Sequence, residues 1–150
     1  MPLPKFLDLP PLWLVAFVAA AWGIDHVLPL DLFGRAGDLV AAVLALAGAG
    51  LTGGAVAAMR AARTTVIPHL MPRALVTGGV FGLSRNPIYL ADAAFLLAAI
   101  LWMDAVLALP LVAGFMWLIR KRFIEGEEAR LRSVFGDRFE GWAARVRRWL

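Results

Sequence analysis

Arg85-Asn86-Pro87-Ile88-Tyr89 stands between two strongly apolar stretches, and a second polar cluster, Glu127-Glu128, follows the last of them. Asn is a strong helix N-cap and Pro suits the first helical position, so Asn86-Pro87 reads as a helix start without any further role. Arg85 asks for more. A guanidinium beside a helix N-terminus makes a doubly positive spot that suits a carboxylate or a phosphate. Tyr89, three residues after Asn86, can turn its hydroxyl to the same spot. An anchor on lipid phosphate explains Arg85 equally well, and on these residues alone the two readings stand even. Glu127 and Glu128, taken alone, read as a solvated helix N-terminus favoured by the dipole. Arg85, Arg120, Arg122 or a cationic ligand would be their other partners. Asp92 lies three residues after Tyr89 on roughly the same helix face. A carboxylate inside an apolar run is a functional-site candidate. Pairing with Arg85 or Arg73 is favoured over a role as base toward an amine acceptor.

The elements that must position these groups are membrane helices. The 150-residue chain is 61% hydrophobic and 17% charged, with a mean hydropathy of +0.76. Ordinary globular domains are nearer half apolar and a quarter charged. With no cysteine, disulfides, thiolate metal sites and cysteine nucleophiles are excluded. His26 and His69 are far apart and show no metal-ligand spacing, so no metal is expected. The net charge of +4 comes from basic residues flanking apolar spans, which points to membrane topology rather than to nucleic acid.

The chain reads as one all-α, polytopic membrane domain over 1–150, with two N-terminal spans in 1–59 and a catalytic part in 60–150. Leu12 to about Leu28 is taken as a retained first span rather than a cleaved signal peptide. Leu39 to Met59 is the second, about the 20 residues a crossing needs. It carries small residues at every fourth position (Ala41, Ala45, Ala49, Gly53, Ala57), beside a Gly50-Gly54 pair suited to close helix contact, a pattern that generic alanine richness explains equally well. Ile88–Met103 and Ala105–Ile119 form a helical hairpin turning at Asp104, with Pro110 expected to kink the second arm. Each arm is only about 24 Å long. The tail carries Phe139, Trp142, Ala143, Val146 and Trp149 at helical spacing, flanked by Arg138, Arg145 and Arg148. That pattern suits an amphipathic helix at the interface or one packed on the protein's own face. Of fifteen Lys and Arg, only Arg35 falls in a segment placed outside. Four spans with both termini cytoplasmic, in the cytoplasmic membrane, follow from Lys5, the 60–85 interval and the residues after Arg120.

The ordered set Leu75-Val76-Thr77-Gly78-Gly79-Val80-Phe81, Arg85-Asn86-Pro87-Ile88-Tyr89, an apolar hairpin, Glu127-Glu128-x-x-Leu131-x-x-x-Phe135-Gly136 and Arg145-Val146-x-Arg148-Trp149 resembles the isoprenylcysteine carboxyl methyltransferase and phospholipid methyltransferase group of integral membrane enzymes. The resemblance runs from about Thr64 to the C-terminus. It implies S-adenosylmethionine as cofactor, S-adenosylhomocysteine as product, and a pocket at the cytoplasmic helix ends. Carried over by motif, it puts Leu75, Val76, Gly79, Phe81, Arg85, Asn86, Tyr89 and Glu127, with Glu128 beside it, at the cofactor; Arg73, just before them, is counted with that set, and Arg85, Tyr89 and Asp92 are the candidates for the chemistry, Asp92 for its place inside an apolar run. Arg73, Ala91 and Phe123 stand where relatives often carry His, Gly and Arg; the last departure weakens a prenylcysteine carboxylate as substrate. The implied acceptor is lipophilic: a carboxylate, a phospholipid amine or a small hydrophobic molecule. The rivals are an NADPH-dependent sterol-type reductase, which the missing cysteine disfavours, and a non-catalytic lipid-binding protein.

Overall fold

The computed structural model describes residues 8–67 and 69–150; Lys5, used in the topology above, lies outside them. The described residues form helices α1 (Pro10–Val27), α2 (Gly34–Ala61), α3 (Pro87–Trp102), α4 (Pro110–Ile119), α5 (Glu125–Phe135) and α6 (Asp137–Ala143), and contain no strand. Three helices begin with proline at their first position, where the missing N–H would have no intrahelical partner anyway. Pro110 therefore starts α4 instead of kinking a longer helix, and a short 3-10 turn, Val106–Ala108, carries the chain into it.

Two helices are long and apolar enough to cross a membrane, α1 with mean hydropathy 1.3 and α2 with 2.0. The 28 residues of α2 extend about 42 Å, more than the ~30 Å hydrocarbon core. The apolar helix α3, 16 residues long, is the central one and packs on α1, α2 and α4. Its sequence puts small residues on two faces, and Ala91, Ala93 and Ala98 are buried. Large side chains face outward elsewhere: Val15, Leu39, Val43, Leu46, Trp22, Trp102 and Trp117 are all exposed. An apolar exterior of this kind is what a lipid solvent permits and water does not.

The small-residue ridge on α2 is real but rotated. Gly37, Ala41, Gly48 and Ala55 are buried, while Ala49, Gly53 and Ala57 are exposed. A strict every-fourth row advances 400° per step, so it drifts about 40° each time and leaves the contact face within three turns. The phenyl ring of Phe95 lies where a Cβ on Gly48 would come within 2.8 Å of it, whereas nothing approaches Gly50 or Gly53.

No local side chain caps α2. Asp104, seventy residues away, does so: its carboxylate accepts N–H bonds from Leu32, Phe33 and Gly34 at 2.9–3.1 Å. The α1–α2 loop and the α3–α4 turn thereby meet at one end of the bundle. The opposite end carries the polar residues. There α4 runs without interruption through a π-helical turn, Arg120–Ile124, into α5. The wider turn buries Phe123 and Ile124 and sets the phase of the glutamates that follow. Single π turns recur at functional positions.

The tail forms a helix only over α6. Phe139 and Trp142 are buried against Phe81 and Ala55, and Trp142 Nε1 donates to the Phe81 carbonyl at 3.1 Å. The stripe thus packs on the protein itself here. After Ala143 the chain turns back toward the start of α3 rather than continuing as an interfacial helix.

Candidate active site

The returning tail builds the start of α3. Arg85 N–H donates to the Arg147 carbonyl at 2.9 Å. Ser84 Oγ and Asn86 Nδ2 both donate to the Arg148 carbonyl, at 3.2 and 2.9 Å. Asn86 sits at the N-cap position, but its side chain does not cap α3; it ties the C-terminal strand of chain to the helix instead. Glu128, buried on α5, holds the same junction from the other side. It accepts two bonds from Arg148, at 2.9 and 2.7 Å, and pairs with Arg85 Nη2 at 3.3 Å. A bidentate guanidinium–carboxylate pair is directional as well as strong. Arg148 therefore serves as an internal clamp.

Tyr89, in the first turn of α3, donates its phenol hydrogen to Glu127 Oε1 at 2.6 Å. That length is typical of a hydroxyl bound to a carboxylate anion. Burial pushes the Glu127 carboxyl above its ordinary value, against the opposing pull of Tyr89 and Arg130. The adjacent glutamates have thus separated in role: Glu128 closes the fold, and Glu127 faces a cavity.

This cavity has a volume of about 600 Å3 and a mainly apolar wall built from the start of α1, the middle and end of α2, residues 65–67, 69, 70 and 72, the start of α3 and α5. Its polar groups are Thr52, His69, Arg85, Tyr89, Asp92, Glu127 and Arg130, among others. Among the described residues, five buried side-chain atoms lack a hydrogen-bond partner: Asp25 Oδ1, Thr52 Oγ1, His69 Nε2, Arg85 Nε and Asp92 Oδ2. All but the first belong to residues lining this cavity. Buried polar atoms are normally satisfied, so four orphans around one cavity mark a place where a polar ligand completes the set.

Of the residues singled out from the sequence, Phe81, Arg85, Asn86, Tyr89, Asp92 and Glu127 line the cavity, whereas Arg73, Leu75, Val76, Gly79 and Glu128 do not. Leu75 and Val76 pack beside Phe81 and Trp142. Arg73 is exposed, with its N–H on Thr64 Oγ1 at 3.0 Å. Gly79 opens a 3-10 turn with φ +60, a conformation that favours glycine. The expected pairing of Asp92 with Arg85 or Arg73 is absent, because Glu128 takes Arg85.

His69, Thr52 and Arg130 were not picked out. Arg130 carries a visible signal, since it lies three residues from Glu127 and so on a neighbouring face. Thr52 is a lone hydroxyl amid alanines and glycines. His69 sits in an irregular segment whose path no periodicity predicts; its ring centroid comes to 5.5 Å from that of Phe123.

No curated protein and no solved structure matches the chain. A family model described as phospholipid methyltransferase matches residues 37–138. The match starts in α2, ahead of Thr64 where the sequence resemblance begins, and stops before the clamp at Arg148. It takes in Arg85, Tyr89, Asp92 and Glu127, the polar core of the cavity, and about two thirds of the chain. The chain belongs to the phospholipid methyltransferase family of membrane proteins.

Proposed function

We propose that the protein transfers a methyl group from S-adenosylmethionine to a lipophilic acceptor, in the cavity between α2, α3 and α5. The observation that carries this reading is the set of opposite charges and unpartnered polar atoms lining an otherwise apolar cavity. The methyl donor is a zwitterion with ribose hydroxyls, and it needs donors and acceptors together. Arg85 Nε and Arg130 supply positive donors, and Glu127 supplies a carboxylate. A volume of about 600 Å3 falls within the roughly 300–1,000 Å3 of small-molecule sites.

The bound cofactor supplies an electrophilic methyl group on a sulfonium. The protein's work is to position and to exclude water. Arg85, fixed by Glu128, presents its remaining edge to a carboxylate. Glu127, oriented by Tyr89, accepts from an ammonium or a hydroxyl. The apolar wall formed by Pro10, Met59, Ile67, Leu70 and Leu131 suits the acceptor's hydrocarbon part.

The same reading covers topology. The Asp104 end faces outward and the Arg85–Glu127 end faces the cytoplasm, with α3 and the α4 segment as third and fourth spans in the cytoplasmic membrane and both termini inside. Basic residues gather at the Arg85–Glu127 end, as positive-inside orientation requires. The family match does not favour the reductase alternative. The test is incubation of the protein in lipid nanodiscs with methyl-labelled cofactor and a membrane lipid extract. Label is expected in an organic-soluble product, and its absence there would contradict the reading.

A further inference from the structure

Glu128 binds two guanidiniums at once. Arg148 holds both of its oxygens, at 2.9 and 2.7 Å, while Arg85 Nη2 reaches only Oε1, at 3.3 Å. Of these three residues only Arg85 lines the cavity, and its Nε has no hydrogen-bond partner among the described residues. The family match ends at residue 138, so it does not account for Arg148 or for the tail that carries it.

The charges decide what Arg85 can do. Arg85 and Glu128 alone make a neutral pair. A ligand carboxylate approaching that pair would meet the Glu128 carboxylate close behind the guanidinium, and in a partly dehydrated site the repulsion offsets much of the attraction. The other charged residues lining the cavity are Asp92, Glu127 and Arg130. Without Arg148, carboxylates (Asp92, Glu127, Glu128) would therefore outnumber guanidiniums (Arg85, Arg130). Arg148 changes the local sum to two cations on one anion, and its bidentate grip directs Glu128 toward the tail. The backbone ties of the tail are separate from this grip: Arg85 N–H donates to the Arg147 carbonyl and Asn86 Nδ2 to the Arg148 carbonyl, both at 2.9 Å. They survive an exchange of the Arg148 side chain.

Resting on the methyl-transfer reading above, we propose that Arg148 is a positioning residue for the methyl donor: by taking up the Glu128 carboxylate, it leaves Arg85 a net cation toward the donor's carboxylate, while touching no ligand itself. A clamp with a structural task alone behaves differently. Changing either of its partners would weaken every ligand alike. The charge role gives opposite signs, because loss of the cation Arg148 weakens carboxylate binding and loss of the anion Glu128 does not.

The test uses the full chain in nanodiscs and two probes, S-adenosylhomocysteine and its decarboxylated form, which lacks only the carboxylate. Calorimetry is expected to show a preference of about tenfold or more for the first in the wild type. Arg148→Gln should bring that preference below about threefold while the decarboxylated probe binds as before. Glu128→Gln should keep the preference or raise it, and adding Glu128→Gln to Arg148→Gln should restore it. Arg148→Lys retains the charge and should retain most of the preference; with Glu128→Gln it carries the test if Arg148→Gln does not fold. Loss of the preference in Glu128→Gln or in Arg148→Lys, its survival in Arg148→Gln, or equal binding of both probes by the wild type would overturn the proposal. A wild-type protein that binds neither probe would instead remove the methyl-transfer reading itself, so the two failures are separable.

Discussion

The phenol of Tyr89 and the carboxylate of Glu127, 38 positions apart, are joined by a 2.6 Å hydrogen bond at the edge of the cavity. The bond fixes a carboxylate that Arg130 approaches from the same helix and that the cavity leaves accessible. Tyr89→Phe keeps the ring and removes the donor. Because hydrogen bonds to charged groups contribute about 1.5–3 kcal/mol, S-adenosylhomocysteine affinity should fall roughly tenfold in calorimetry. Tyr89's ring packing is kept, so any fall in melting temperature reports the lost hydrogen bond alone.

The raised carboxyl of Glu127 gives a pH signature of definite sign. Burial holds its proton more tightly in the fold than the ordinary value of 4.5 would. A group raised in this way makes the folded state bind more protons than the unfolded one. Stability therefore falls as pH rises from that ordinary value through the folded one, and the loss is complete above it. Glu127→Gln should remove this slope in denaturation curves recorded across that window. A cationic ligand group beside Glu127 should in turn drive proton release on binding, seen as buffer-dependent heat that vanishes in the variant.

Glu128 serves the fold rather than the ligand. Glu128→Gln leaves Arg85 and Arg148 facing each other without a carboxylate. Breaking a buried pair costs about 3–5 kcal/mol. Arg148 is partly exposed, which lowers the expected loss to about 2–3 kcal/mol. The double variant with Arg148→Gln should recover part of it, and a double-mutant cycle in chemical denaturation measures the coupling.

Asp104 should report through acid sensitivity. Three backbone N–H groups of the α2 start hold its carboxyl below 3.8. Its contribution is thus present above that ordinary value and is lost as pH falls through the lower folded one. Asp104→Ala should lower the melting temperature at neutral pH, and the gap to wild type should close in strong acid.

The two kinds of glycine on α2 should behave oppositely. A Cβ at Gly37 would meet Phe33 Cβ at 2.8 Å and the Leu101 carbonyl at 3.2 Å. Overpacking of this kind costs about 1–3 kcal/mol. At Gly53 a Cβ meets nothing within 4 Å, and alanine there should stabilise by roughly 0.5–1 kcal/mol. Thermal unfolding of Gly37→Ala and Gly53→Ala in one detergent compares them.

Local chemistry was readable wherever a short-range rule governs it. Pro87 starting α3 and the apolar run through Trp102 could be placed to within a residue from the Asn-Pro signal and hydropathy. Arg85, Tyr89 and Glu127 could be grouped from motif order. Relationships set by tertiary packing could not. Asp104 looks like a turn residue, and only the fold reveals that it caps a helix seventy residues earlier. Glu127 and Glu128 are adjacent and alike in sequence; a π turn and a returning tail decide which faces the cavity. The α2 ridge was misplaced because spacing by four and the helical period diverge over several turns.

The central claim is most directly tested by calorimetric titration of S-adenosylhomocysteine into the nanodisc-embedded protein and its Glu127→Gln variant. The account predicts saturable binding to the wild type and an affinity at least about tenfold weaker in the variant. Absence of binding to the wild type, or equal affinity in both proteins, would contradict it.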